Sequence, residues 1–239
     1  MRTVPTNGRP GGGRGRPFRV LGHRGVMGVE PENTLRSFVR AERAGLDAVE
    51  LDLHLSRDGA LVVMHDAEVD RTTDGSGPVA GLTLAELRRL DAGRGERVPV
   101  FEEVLDAVAC PVQAEIKDVA AARALAEVVR RRGLTGRVEV SSFHDEAVAE
   151  TARLLPGART VLIASRWGGD IAERALAAGA ATLALNIRRL TLETVERARA
   201  AELGIIGWVV NTAEHWALVR AFGLDGATTD LPPAGASPG

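Results

Sequence analysis

A single cysteine, Cys110, stands in a chain of 239 residues. It excludes an intramolecular disulfide and a cysteine-built zinc centre. Long apolar runs are missing too. No stretch approaches the ~18 residues of a membrane span, which argues against stable membrane insertion. Neither sign of charge is in large excess. Lys and Arg total 30 and Asp and Glu 32, a net charge of -2, which argues against nucleic acid as the main partner. The first residues carry no apolar h-region, so no secretory signal is expected and the expected setting is cytoplasmic. Nothing in the composition sets an oligomeric state. Tyrosine is absent, and lysine nearly so: 29 of the 30 basic residues are Arg, and the one Lys is Lys117. Arg and Lys differ in shape and hydration. A lone Lys against such a bias marks either a place where Arg does not serve or a chance survival.

What is present is ordinary for a soluble globular protein: hydrophobic residues are 45% and charged residues 26%. Residues 1–17 are Gly-, Arg- and Pro-rich without periodicity and read as a disordered tail. Residues 1–16 hold four Arg and no acid, so the rest of the chain carries -6. Such a tail suits either an anionic-surface contact or a linker remnant. Residues 233–239 read as a second loose tail, which leaves 18–232 as one domain.

Within 18–232, short β-rich runs alternate with Ala/Leu/Arg/Glu helical runs. Strands are expected near 18, 48, 111, 137, 158, 181, 205 and 226. ALVVMHD (60–66) reads as a hairpin partner to the second strand, and 67–98 as a small insertion before the third. PENTLRSFVRAERAG (31–45) reads as a helix with Pro31 in its first turn. Repeated βα units mean a parallel sheet, and eight of them in this length favour a closed α/β (β/α)8 TIM-like barrel. The Gly-rich GRPGGGRGRP precedes the first strand, so it is not a dinucleotide fingerprint.

In such a barrel the chemistry lies at the C-terminal strand ends. Those ends hold His23 and Arg24, Glu50 and Asp52, His65 and Asp66, Glu115 and Lys117, Phe143, Asn186, Trp208 and Asn211. Residues two apart in a strand face the same way. Glu50 and Asp52 therefore share a face, as do Glu115 and Lys117, while Val49, Leu51, Leu53 and Leu55 face helices. Three inward carboxylates are costly unless paired or metal-bound. They suit one hard divalent cation, Mg²⁺ or Ca²⁺; a salt-bridge layer with Lys117 and Arg24 is the plainer alternative. His23 and His65 are the candidate acid and base, since imidazole titrates near neutrality. His54 shares the parity of Glu50 and Asp52. His144 and His215 lie on helices and read as structural. Phe143 and Trp208 offer apolar walls.

These residues resemble the glycerophosphodiester phosphodiesterase family. HRGVMGVEPENTLRSFVRAERAGLDAVELDLHLSRDGALVVMHD, then RTTDGSG, VPVFEEVL, AEIK, SSF, GWVVN and GLDGATTD carry the likeness, over about residues 18–232. The resemblance implies a TIM-like barrel and hydrolysis of a small-molecule glycerophosphodiester to an alcohol and sn-glycerol 3-phosphate, in lipid and glycerol metabolism. It implies Glu50, Asp52 and Glu115 as ligands of a divalent metal, His23 and His65 as acid and base, and Arg24 and Lys117 at the phosphate. Two departures stand out. Glu30 replaces the usual small residue before Pro-Glu-Asn-Thr, and the segment from Asp66 to Pro99 is short. The same residues bear on three other classes: a non-catalytic phospholigand barrel, a membrane-acting phospholipase or sphingomyelinase, and a metal-assisted isomerase. The first would lack a histidine or a metal acid, the second would want a signal or an apolar loop, and the third leaves paired histidines unexplained.

Overall fold

The computed structural model describes residues 17–232; the expected tails at 1–17 and 233–239 lie outside the described residues, apart from Pro17. Nine strands run in chain order: β1 (Arg19–Gly22), β2 (Ala48–Leu55), β3 (Leu61–Val63), β4 (Val112–Ile116), β5 (Val138–Ser142), β6 (Arg159–Ala164), β7 (Thr182–Asn186), β8 (Gly204–Trp208) and β9 (Gly226–Thr229). Eight of them are parallel neighbours in the order β1-β9-β8-β7-β6-β5-β4-β2. Pairing of Leu21 with Ala48 and Gly22 with Val49 joins β1 to β2 and closes the barrel. β3 is antiparallel to β2, the expected hairpin, with Leu53 opposite Val63. The insertion after it contributes a 3-10 turn at Val79–Gly81 and a short helix, α1 being the earlier Leu35–Arg43 and this one α2 (Leu84–Leu87). Val62, Met64, Val69, Val79, Leu87, Ala92 and Val98 form a small core of its own.

Helices α3 (Phe101–Ala107), α4 (Ala121–Arg131), α5 (Asp145–Leu154), α6 (Ile171–Ala177), α7 (Leu192–Ala200) and α8 (Ala213–Phe222) surround the barrel. Several begin on a side chain that accepts from the first turn: Thr34, Thr83, Asp170, Thr191 and Thr212, each worth about 1 kcal/mol. One sequence expectation is corrected here. Pro31 is not in the first turn of α1, because the helix starts at Leu35 on the Thr34 cap. Asn33 takes a left-handed φ of 57°, and the Thr34 hydroxyl donates back to the Pro31 carbonyl, so the chain turns before it coils. The β2 parity is as expected. Val49, Leu51 and Leu53 are fully buried in the layer between sheet and helices, while Glu50 and Asp52 take the barrel interior. The interior apolar layer is small: Leu21, Ala48, Val161, Ile163, Ala184 and Ile206. It leaves room for charge above it.

Candidate active site

The turn after β1 sets the geometry of one wall. Arg24 and Gly25 both have left-handed φ, 49° and 83°. A Cβ on Gly25 would lie 2.2 Å from the Ser37 hydroxyl oxygen, so only glycine fits. Arg24 has a side chain and adopts this region at a cost of order 1–2 kcal/mol. Its backbone holds it there. The N–H donates to Glu50 Oε2 at 3.0 Å, and the carbonyl accepts from Asn33 N at 3.1 Å and Ser37 Oγ at 2.9 Å. The guanidinium then reaches Glu32 Oε1 at 2.8 Å and Asp52 Oδ2 at 3.4 Å.

The register of β2 against β4 sets Asp52 opposite Glu115 and Glu50 opposite Gln113. Glu50, Asp52 and Glu115 are buried, and one oxygen from each lies within 4.8 Å of the others. Asp52 is well compensated: Lys117 Nζ is 3.0 Å from Oδ1, and Asn33 donates to Oδ2 at 2.8 Å. Burial works against its charge, but Lys117 and Arg24 outweigh that and hold its pKa below the usual carboxylate range. Glu50 and Glu115 go the other way. Burial, then the charge of Asp52, pushes both well above that range. Lys117 sits 2.5 Å from Glu115 Oε1, and its one charge serves two acids. The trio is short of positive charge and offers only hard oxygen donors. It therefore fits a divalent cation.

Each strand-end histidine has its own carboxylate. His23 Nδ1 is 2.6 Å from Asp230 Oδ1, and Asp230 Oδ2 accepts from Asn211 Nδ2 at 2.5 Å. His65 Nδ1 is 2.6 Å from Asp66 Oδ1. Asp66 is also claimed by Arg71, whose Nε donates to Oδ2 at 2.6 Å and whose other nitrogens bind Glu32 at 2.8 Å. The two imidazoles are therefore tuned apart. Burial disfavours the charged form of both. For His23 the Asp230 bond and the Glu50 charge overcome it and raise the pKa. For His65 burial wins and the pKa falls, with Lys117 and Arg24 adding to it against Asp52 and Asp66.

One cavity of about 170 Å³ is lined by His23, Arg24, Glu50, His65, Glu115, Lys117, Phe143 and Trp208, with Asp52 behind its acid wall. The Phe143 and Trp208 rings meet edge to face at 5.9 Å, and Lys117 Nζ stands 5.9 Å from the Phe143 ring centre. The nine singled-out residues thus meet in one place. His54 does not line the cavity; its ring nitrogen is 3.2 Å from the His65 carbonyl oxygen and fixes that turn. His215 is buried in α8, and His144 begins α5. Glu30 binds Arg36 and Arg94, each at 2.6 Å, and ties α1 to the insertion. Sequence reasoning missed Asp230, Arg71, Glu32 and Asn33 as site residues. The signals were a carboxylate directly after the last strand, and a Glu-Asn pair between the first strand and its helix.

Residues 23–234 match the sequence profile of the glycerophosphoryl diester phosphodiesterase family. The chain belongs to that family. It is an enzyme of that class. The glycerophosphodiester phosphodiesterase of Caldanaerobacter subterraneus subsp. tengcongensis is 32% identical, over 89% of this chain and 94% of that protein. That of Bacillus subtilis is 29% identical, over 90% and 85%. Among solved structures, an Oleispira antarctica phosphodiesterase in complex with the product sn-glycerol-3-phosphate has a TM-score of 0.84 at 28% identity, covering 90% of this chain and 93% of that one. The glycerophosphodiester phosphodiesterase of Thermotoga maritima has a TM-score of 0.78 at 28% identity, covering 89% and 94%. No helix among the described residues is long and apolar enough to cross a membrane.

Proposed function

We propose that this family member hydrolyses small glycerophosphodiesters to an alcohol and sn-glycerol 3-phosphate, in a divalent-metal-dependent reaction. The observation that carries the reading is the charge-deficient acid trio facing two separately tuned histidines in one cavity. Glu50, Asp52 and Glu115 are the residues that would hold Mg²⁺ or Ca²⁺. When bound there, the ion supplies Lewis-acid polarisation of the phosphoryl oxygens. Arg24 and Lys117 share the charge that grows on those oxygens during attack. His65 is the base. Burial outweighs Asp52 and the ring's partner Asp66, which also binds the Arg71 guanidinium, and favours a neutral ring. That ring takes a proton from the attacking oxygen, that of a water or of the glycerol 2-hydroxyl; in the second case a water then opens the cyclic phosphate, so that one water is consumed overall. His23 is the acid. Asp230 is bonded to the neutral amide of Asn211 and supports a protonated ring, which gives its proton to the leaving alcohol. With the base's pKa lowered and the acid's raised, the productive protonation state is the populated one. Phe143 and Trp208 wall the glycerol. The cavity is smaller than the about 300–1,000 Å³ of drug-sized pockets, which suits a glycerophosphate unit with its second alcohol outside. A cytoplasmic place in lipid and glycerol metabolism is part of this reading, and cell fractionation checks it.

The direct test is release of glycerol 3-phosphate from a panel of glycerophosphodiesters, before and after exhaustive dialysis against EDTA. We expect release in the native enzyme, its loss on chelation, and recovery with added Mg²⁺ or Ca²⁺. Full activity after chelation would overturn the role of the three acids. No release from any diester would overturn the activity.

A further inference from the structure

A second cavity, of about 540 Å³, opens on the same end of the barrel. Arg166, Trp167 and Asp170 line it from the loop after β6, and Arg189, Glu193 and Arg197 from the loop and helix after β7. Its position relative to the active site follows from the chain. Ile163 and Ala184 line the inner cavity. Arg166 comes three residues after the first and Arg189 five after the second. An extended chain spans at most about 3.6 Å per residue, so their Cα atoms lie within about 11 Å and 18 Å of those wall residues. The inner cavity has room for a glycerophosphate unit, and the groove is lined by the segments that follow its β6 and β7 wall residues.

The groove carries positive charge that its own acids do not neutralise. The two acids that line it are taken: Arg197 binds Asp170 at 2.9 Å and Glu193 at 2.9 Å. Arg166 and Arg189 are exposed and have no carboxylate partner among the described residues. Arg188, next in sequence, does not line the cavity; its Nε meets His215 Nε2 at 3.4 Å. Two guanidinium groups without a carboxylate partner, Arg166 and Arg189, thus line one cavity in a chain whose net charge is -2. Guanidinium forks match the oxygens of a phosphomonoester or carboxylate in pairs. Resting on the activity proposed above, we infer that Arg166 and Arg189 form a subsite for an anionic group on the second alcohol. The preferred diesters are those whose head group bears a further phosphate. Their leaving alcohol departs through the groove, and Trp167, half-buried against the core, lines its path.

The test compares two diesters that differ by one group: glycerophosphoglycerol, and the same molecule with a phosphate on its terminal hydroxyl. The wild-type enzyme should prefer the phosphorylated one in kcat/KM, and added salt should weaken the preference by screening it. R166E/R189E should lose roughly tenfold or more of that preference while turnover of the uncharged diester stays within about threefold. R166Q/R189Q should fall between. Calorimetric binding of the phosphorylated diester should weaken by the same factor in R166E/R189E. This measurement speaks to the groove even if no diester is turned over, so failure of the activity and failure of the subsite are separable. Equal wild-type kcat/KM for the two diesters, or unchanged affinity in R166E/R189E, would overturn the subsite. Vesicles of anionic and of zwitterionic lipid give a further arm. Binding to anionic vesicles that is lost in R166E/R189E, with substrate preference intact, would assign the arginines to a lipid surface and overturn the proposal.

Discussion

Two buried groups of charge sit at opposite ends of the same barrel, and they are built differently. At the N-terminal end, Glu139 receives both arms of Arg19, at 2.7 and 3.0 Å, and Arg159 at 3.0 Å. One acid meets two cations. At the C-terminal end, Glu50, Asp52 and Glu115 share Lys117 and the edge of Arg24. Three acids share two cations, and two of the acids are driven toward the neutral form by burial and by Asp52. The first group is complete as it stands and ties β5 to β1 and β6. The second is complete only with something added. Burial alone does not separate a structural ion pair from a reactive centre; the balance of charge does.

The comparison breaks most sharply at the histidines. His23→Ala and His65→Ala should each lower kcat by roughly a hundredfold or more, whereas His144→Ala and His215→Ala leave it nearly unchanged. A substrate with a nitrophenolate leaving group should restore much of the loss in His23→Ala and none in His65→Ala, because a good leaving group needs no acid. Equal rescue of both would reverse or erase the assignment. Lys117→Arg comes next. It should keep the circular dichroism and lose roughly tenfold or more in kcat/KM at saturating metal, about 1.4 kcal/mol. A longer, planar guanidinium does not fit where one ammonium reaches both Asp52 and Glu115. Wild-type kinetics would make the lone lysine a compositional accident.

The pH profile sharpens the contrast further. A base must be deprotonated, so activity rises through the pKa of His65, which lies below the ordinary imidazole value. An acid must be protonated, so activity falls through the pKa of His23, which lies above it. The result is a bell whose acid limb vanishes in His65→Ala and whose alkaline limb vanishes in His23→Ala; the opposite pattern would exchange the roles. The smallest effect on turnover is expected at the other end. Glu139→Gln should leave kcat and metal dependence unchanged and cost about 1–2 kcal/mol of stability, since its arginine partners reach solvent. Thermal unfolding would show this as roughly 2–4 °C per kcal/mol. A change in metal dependence would mean that the two groups of charge are coupled.

Local rules carried far in this chain. Alternating β and helical runs determined the barrel, because each βα unit is specified by its own periodicity and turns. The period of two in Ala48–Leu55 determined which acids point inward. Arg at every other basic position singled out Lys117 before any contact was known. The tertiary structure decided what depends on closure. His23 finds Asp230 across 207 positions of sequence, a partnership made only when β9 settles beside β1. Arg71 joins Asp66 to Glu32 from inside an insertion whose irregular chain has no period to read. The left-handed turn at Arg24 and Gly25 exists because Ser37, on the next helix, packs where a side chain on residue 25 would stand. Periodicity is written residue by residue, whereas the partners that tune each histidine come from elements that meet only once the ring is shut.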